Sequence, residues 1–246
     1  MKCSSERRAT SPRQKCLHMN VSVVSAVAFL LLSAAPSLLN SQAVVSGHVG
    51  LRESGRKQSN DISSAFVWLV PLGFTDIKAN TVSRQTSIAM HTREFQPHIS
   101  VVAAGGLVEF PNDDPFSHNV FSNSELGRFD LGLYPRRKTR AATIAKPGVY
   151  AVYCNIHSRM SSFIIAVPTR HVTQVDKDGK FELRDVPLGE YEIHVWHERA
   201  PEEERRVKIE GAGIVIDVSL DARGFVPGPH LNKFGQAYPI TRADRY

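Results

Sequence analysis

Apolar residues along this chain come in short runs, broken by Gly, Pro, Asn and Asp. That rhythm predicts β-strands rather than long helices. From 86 to 110, TSIAMHTREFQPHISVVAAGGLVEF reads as strand-like segments with a turn at Gly105-Gly106, and PNDDPFSHNVFS (111–122) as a polar, proline-marked loop entering another strand. KPGVYAVYC (146–154) is a turn followed by an unbroken apolar run, the pattern of a strand buried on both faces. SSFIIAVP (161–168) is the next strand, stopped by Pro168. Further on, Asp178-Gly179 predicts a hairpin, and the alternations Phe181/Leu183 and Tyr191/Ile193/Val195 flank a turn at Pro187-Leu188-Gly189. The expected fold class is all-β.

Only one apolar run breaks this picture. Val21–Leu32 follows Arg7, Arg8, Arg13 and Lys15, is short for a membrane span, and precedes the small residues Ser41-Gln42-Ala43. Residues 1–43 therefore read as a signal peptide, with Met19 a second possible start and an uncleaved anchor the alternative. Periplasmic or secreted localisation follows, with no membrane insertion once the leader is gone. Its removal takes five bases from 30 and one acid from 24, leaving 25 against 23. The formal net charge of +6 largely disappears, and with it any case for nucleic-acid binding. Cys3 and Cys16 leave too, so Cys154 stands without an internal disulfide partner in an oxidising compartment.

That cysteine lies in YCNIHSRM (153–160), where Cys154, His157 and Met160 follow one another at intervals of three on a loop between two strands. Singly, each has an ordinary reading: a buried thiol, a loop-capping imidazole, a core thioether. Together they suggest a metal, and His118 in the 111–122 loop is the natural fourth candidate. A His₂Cys plane with a weak Met is the ligand field of an electron-transfer copper site, whereas zinc gains little from a thioether.

At these residues a resemblance appears. The series P-G-x-Y-x-x-x-C-x-x-H-x-x-M, with an upstream His-Asn after F-x-N-x-D, resembles the cupredoxins, and its short C-x₂-H-x₂-M loop is most similar to amicyanin. FPNDDPFSHNVFS, FDLGLYPRRKTR and YCNIHSRM together resemble methylamine-utilisation-type, plastocyanin-like periplasmic proteins, over about residues 80–168. The resemblance implies a Greek-key β-sandwich holding one type 1 copper ion. His118, Cys154 and His157 would be equatorial ligands, Met160 the axial one, and Asn119 a hydrogen-bonding tie between the two ligand loops.

The flanks carry a second resemblance. SGHVGLRESGRKQSNDISSAFVWLV (46–70) and the 172–220 segment are similar to the carboxypeptidase-regulatory-like, transthyretin-like β-sandwich. The expected organisation is thus a discontinuous module, 44–78 plus 169–222, around a cupredoxin domain at 79–168, followed by a tail at 223–246; two consecutive sandwiches are the simpler alternative. The second module has no evident catalytic constellation.

Other features are weaker. Asp176-x-Asp178-Gly179 hints at calcium but suits a turn better. His194 and His197 should point to different faces of a strand, and His91 and His98 read as surface or loop residues before a second copper site. PRRKTR (135–140) reads as a solvated rim able to steer an acidic partner. The favoured function is an exported copper electron carrier, paired with a redox protein such as a c-type cytochrome or an exported dehydrogenase. Copper delivery or storage, and a structural sandwich with incidental metal binding, are the competing classes. Oxidase or reductase chemistry would call for H-x-H or H-C-H clusters, which the sequence lacks, so an enzyme is not expected.

Overall fold

The computed structural model describes residues 42–54, 62–76, 80–226 and 228–238. Most of the segment read as a leader, 1–41, lies outside them. No helix long and apolar enough to cross a membrane is present among the described residues, which are all-β. In chain order the strands are β1 Gln42–Arg52, β2 Phe66–Leu72, β3 Gln85–Ser87, β4 Ala89–His91, β5 Glu94–Gln96, β6 Ile99–Ala103, β7 Gly106–Pro111, β8 His118–Ser122 and β9 Phe129–Tyr134. They continue as β10 Thr139–Ile144, β11 Gly148–Cys154, β12 Ser161–Val167, β13 Val172–Gln174, β14 Lys180–Pro187, β15 Gly189–His197, β16 Ala200–Ile209, β17 Gly213–Val215 and β18 Val218–Asp221.

Four main sheets form, in the orders β14-β1-β17 with β18 also on β1, β13-β2-β15-β16, β6-β12-β11-β8-β9, and β10-β7-β3. We number them I to IV. Strands β1 and β2 pair only with strands after residue 171, while β3 to β12 pair among themselves. The chain thus begins one sandwich, builds a second, and returns to finish the first.

Side-chain alternation decides what each sheet faces. Val45, Leu51, Phe181 and Leu183 of sheet I meet Val67, Leu69, Tyr191 and Ile193 of sheet II in one core. Val152, Cys154 and Ile164 of sheet III meet Val108, Phe110 and Ile144 of sheet IV in another. A third core joins the two sandwiches: Phe66, Trp68 and Trp196 from sheet II against Phe163, Ile165 and Val167 from sheet III. Strands β2 and β12 are therefore apolar on both faces, which accounts for the unbroken runs FVWLV and FIIAV. Strand β11, expected to be buried on both faces, instead alternates: Tyr150, Val152 and Cys154 are buried and the residues between them only half-buried. Its apolar outer positions are partly covered, with Val149 against the third core and the Tyr153 ring stacked on His230.

The predicted turns reverse the chain, but not as hairpins. Gly105-Gly106 links sheet III to sheet IV, Asp178-Gly179 links II to I, and Pro187-Leu188-Gly189 links I to II. Turn chemistry is satisfied either way: Asp176 Oδ1 accepts the N–H groups of Asp178 (2.9 Å) and Lys180 (2.8 Å), and Gly179 takes φ 84°. Local chemistry sets a reversal; whether strand edges or strand faces then meet is decided by the apolar positions flanking it. Residues Gln42 and Ala43, read as the end of the leader, are the first two of β1, where Ala43 is buried opposite Val186.

Two outcomes test this architecture. Ile165→Ala should cost about 2–5 kcal/mol in urea unfolding, since Ile165 is wholly buried in the joining core; a loss within a few tenths would mean that the core is not packed. His98 and Glu198 bridge the sandwiches at 2.8 Å. The bond to Glu198 raises the His98 pKa against a smaller opposing effect of burial, and the same bond lowers that of Glu198. A raised imidazole stabilises below its unfolded pKa and loses that contribution as pH rises through the folded value; the lowered carboxyl loses its own as pH falls through its folded value. With His98 half-exposed, the pair is worth at most about 1 kcal/mol. Glu198→Gln should therefore destabilise more at about pH 6 than at about pH 9, and equal losses would show that the pair contributes no charge interaction.

Candidate metal centre

Three of the residues singled out in the sequence come together at one end of sheet III. Strands β8 and β11 are antiparallel neighbours with Cys154 opposite Val120, so the strand that starts at His118 and the one that ends at Cys154 deliver both to the same edge. The loop from 154 to 160 then folds back: Cys154 N–H donates to the Met160 carbonyl at 3.1 Å, and Met160 N–H to the His157 carbonyl at 3.0 Å. The result is a tight turn that returns His157 over the thiol.

Cys154 Sγ lies 3.5 Å from His118 Nδ1 and 3.6 Å from His157 Nδ1, and the three atoms fall within 4.8 Å of one another. His118 and Cys154 are fully buried and His157 half-buried. Burial pushes the thiol pKa up, although backbone N–H groups of Asn119, Ile156 and His157 aim at the sulfur and favour its anion. Burial also pushes both imidazoles down, toward the neutral form that binds metals, and Arg93 nearby adds to this.

The His118 tautomer is set from behind. Its Nε2–H donates to Asp114 Oδ2 at 2.8 Å, leaving the Nδ1 lone pair turned to the thiol. The same carboxylate accepts the N–H groups of Thr92 (2.7 Å) and Arg93 (2.9 Å) at the tip of the β4–β5 hairpin, where both residues have positive φ. Burial would raise the Asp114 pKa, but those two bonds and the imidazole outweigh it and hold the carboxyl below its usual range. Phe116 packs against both imidazoles, with ring centroids 5.2 and 5.5 Å away, and so closes one side.

The donor set fits a metal ion. Ligand bonds of about 2.0 Å to nitrogen and 2.3 Å to sulfur, at trigonal to tetrahedral angles, separate nitrogen from sulfur by about 3.5–3.8 Å, which is the spacing of Cys154 Sγ from both imidazoles. Among the described residues no other His, Cys, Asp or Glu joins this group, since Asp114 is engaged on the far side of His118. Met160, the last residue of the loop, is buried in the same core as Cys154.

Asn119 ties the ligand loops through its main chain: its carbonyl accepts the Asn155 N–H at 2.9 Å. Its side chain turns away and donates to Asp130 Oδ1 at 2.6 Å.

No family model matches the chain, and no curated protein matches it. Solved cupredoxins do resemble it in part. A reduced tryptophan-to-tyrosine variant of amicyanin aligns over 34% of this chain and 82% of its own, at 15% identity and TM-score 0.32. A purple cupredoxin from Nitrosopumilus maritimus covers 33% of this chain and 98% of its own, at 18% identity and TM-score 0.30. A copper-containing nitrite reductase from Thermus scotoductus SA-01 covers 40% of this chain and 25% of its own, at 24% identity and TM-score 0.31. Likenesses this partial leave the chemistry to the donor atoms themselves.

Four other histidines singled out in the sequence go elsewhere. His91 is exposed, His98 pairs with Glu198, and His197 is buried against Ser64 Oγ at 2.8 Å. His194 stacks on Trp68 and lies 2.8 Å from Glu202 and 3.4 Å from Glu204. Sequence reasoning missed Asp114, although its place four residues before His118 was a usable signal.

Asp114→Asn is the direct check on tautomer control. It should weaken metal binding about 10–100-fold in a competition titration while the fold survives; unchanged affinity would mean that Asp114 serves only the hairpin.

Proposed function

We propose that this chain is an exported type 1 copper protein that carries single electrons. The observation that supports this best is the convergence of two imidazole Nδ1 atoms on a buried thiol, with the buried thioether of Met160 in the same hydrophobic core. In this reading His118, Cys154 and His157 hold one copper ion and Met160 is its weak fourth ligand. Copper, when bound, supplies the one-electron couple.

The protein's part is to keep those donors still. Asp114 keeps a proton on His118 Nε2 through the redox cycle, and three backbone N–H groups favour the thiolate. Water is excluded from His118 and Cys154, so little solvent rearranges when the charge changes. His157, the one partly exposed ligand, is the electron's exit. Tyr134, the last residue of β9, pairs with His118, so the exposed Arg136, Arg137 and Lys138 that follow it lie at the His118 end of β8, where the Asn112 carbonyl accepts the Arg137 N–H at 2.7 Å. They give the ligand-loop end a positive rim suited to an acidic redox partner, such as a c-type cytochrome or an exported dehydrogenase. The flanking sandwich is read as scaffold, and the whole as a carrier rather than an enzyme.

Adding Cu(II) to the purified protein should produce an intense visible thiolate-to-copper band and a narrow hyperfine splitting in electron paramagnetic resonance. Cys154→Ser should abolish both, while Met160→Leu should keep the colour and shift the reduction potential. A colourless Cu(I) complex that quickly surrenders its ion to a chelator would favour delivery or storage instead.

A further inference from the structure

Three residues of the C-terminal segment, His230, Lys233 and Tyr238, tie it to the ligand loop. His230 N–H donates to the Ser158 carbonyl at 3.1 Å, and the His230 ring spans two carbonyls, with Nε2 3.2 Å from that of His157 and Nδ1 2.8 Å from that of Leu231. Lys233 N–H donates to Asn155 Oδ1 at 2.9 Å, and the Tyr238 hydroxyl to the Cys154 carbonyl at 2.8 Å. Four of the five residues from 154 to 158 are therefore gripped by a stretch that follows them by more than seventy positions.

Packing and charge reinforce the grip. The His230 ring stacks on Tyr153 with centroids 4.3 Å apart, and Tyr238 meets His230 edge-on at 5.3 Å. Lys233 Nζ reaches Asp130 Oδ2 at 2.6 Å, and the other oxygen of that carboxylate holds the Asn119 side chain. The segment thus bonds to the loop of Cys154 and, through Asp130, to the residue beside His118. It is itself ordered: Asn232 Oδ1 accepts the N–H groups of Phe234 (2.9 Å) and Gln236 (3.0 Å), and Gly235 turns the chain at φ 76°.

We propose that residues 228–238 form a strap that is part of the metal centre, in which His230, Lys233 and Tyr238 are positioning residues that hold the 154–160 loop closed over Cys154. A loop leaving a strand has carbonyls that need donors; the strap supplies them to Cys154 and Ser158 and, in the His230 Nε2–H tautomer, adds a second donor to the His157 carbonyl beside the Met160 N–H. Opening the loop requires those bonds to break together, and each is worth about two- to tenfold in the equilibrium. The strap therefore limits how often the thiol meets solvent and how fast an ion enters or leaves. The statement about ions rests on the copper reading; the statement about the thiol does not.

The test uses metal-free full-length protein carrying Cys3→Ser and Cys16→Ser, so that Cys154 is the one thiol, and follows its reaction with an aromatic disulfide at fixed pH. Tyr238→Phe, which removes one hydroxyl and no packing, should speed labelling several-fold. The combined His230→Ala, Lys233→Ala and Tyr238→Phe variant should speed it at least about tenfold. His230→Gln, whose amide can donate to the same carbonyl, should stay closer to the parent rate than His230→Ala. These rates should be nearly flat in low urea, as local opening requires; a steep rise with urea would mean global unfolding and would overturn the proposal. Equal labelling in parent and variants would overturn it as well. For copper-loaded protein, the same substitutions should speed transfer to a chelator. If copper gives no thiolate band but the labelling differences persist, the copper reading fails and the strap stands; the reverse result rejects the strap alone.

Discussion

The apolar contact between sheets II and III is the constraint on which the rest of the molecule depends. Phe66, Trp68 and Trp196 meet Phe163, Ile165 and Val167, so each of two sheets covers part of the face that the other would leave wet. Strand β12 is the strand that leaves the ligand loop, and it is pinned on one face by Ile164 and Ala166 and on the other by Ile165 and Val167. A loop anchored to such a strand has little freedom at its base, and donor atoms held to a fraction of an ångström need that rigidity.

Within that frame the site is built from groups that depend on one another. The thiol is buried, which raises its pKa, and the backbone N–H groups of Asn119, Ile156 and His157 work against that rise. His118 presents Nδ1 because Asp114 occupies Nε2. Asp114 is held in turn by the N–H groups of Thr92 and Arg93, whose positive φ is a costly conformation for side chains of that size. The backbone strain of a hairpin tip and the protonation state of His118 are thus coupled through one carboxylate.

How far the sequence could be read follows the range of each interaction. Strand alternation and the Cys154–His157 spacing are local patterns, and they were legible. His118 was reachable because its loop lies next to a recognisable strand. Asp114 was harder, since a carboxylate in PNDDP reads first as turn chemistry. The turns at Gly105-Gly106 and Asp178-Gly179 were located, but the sheets they join were not, because sheet membership depends on faces packed far away in sequence. The grip of His230 and Tyr238 on the loop left no local pattern at all.

The interleaved order of the strands has a consequence for how the protein is made. Strand β1 leaves the ribosome with no pairing partner until β14, β17 and β18 are synthesised, well over a hundred residues later. The strands from β3 to β12 have all their partners as soon as Val167 emerges. The inner sandwich is therefore competent to fold while the Val-rich edge of β1 is still open to strangers. Whatever shields that edge during biosynthesis acts in the interval between those two events.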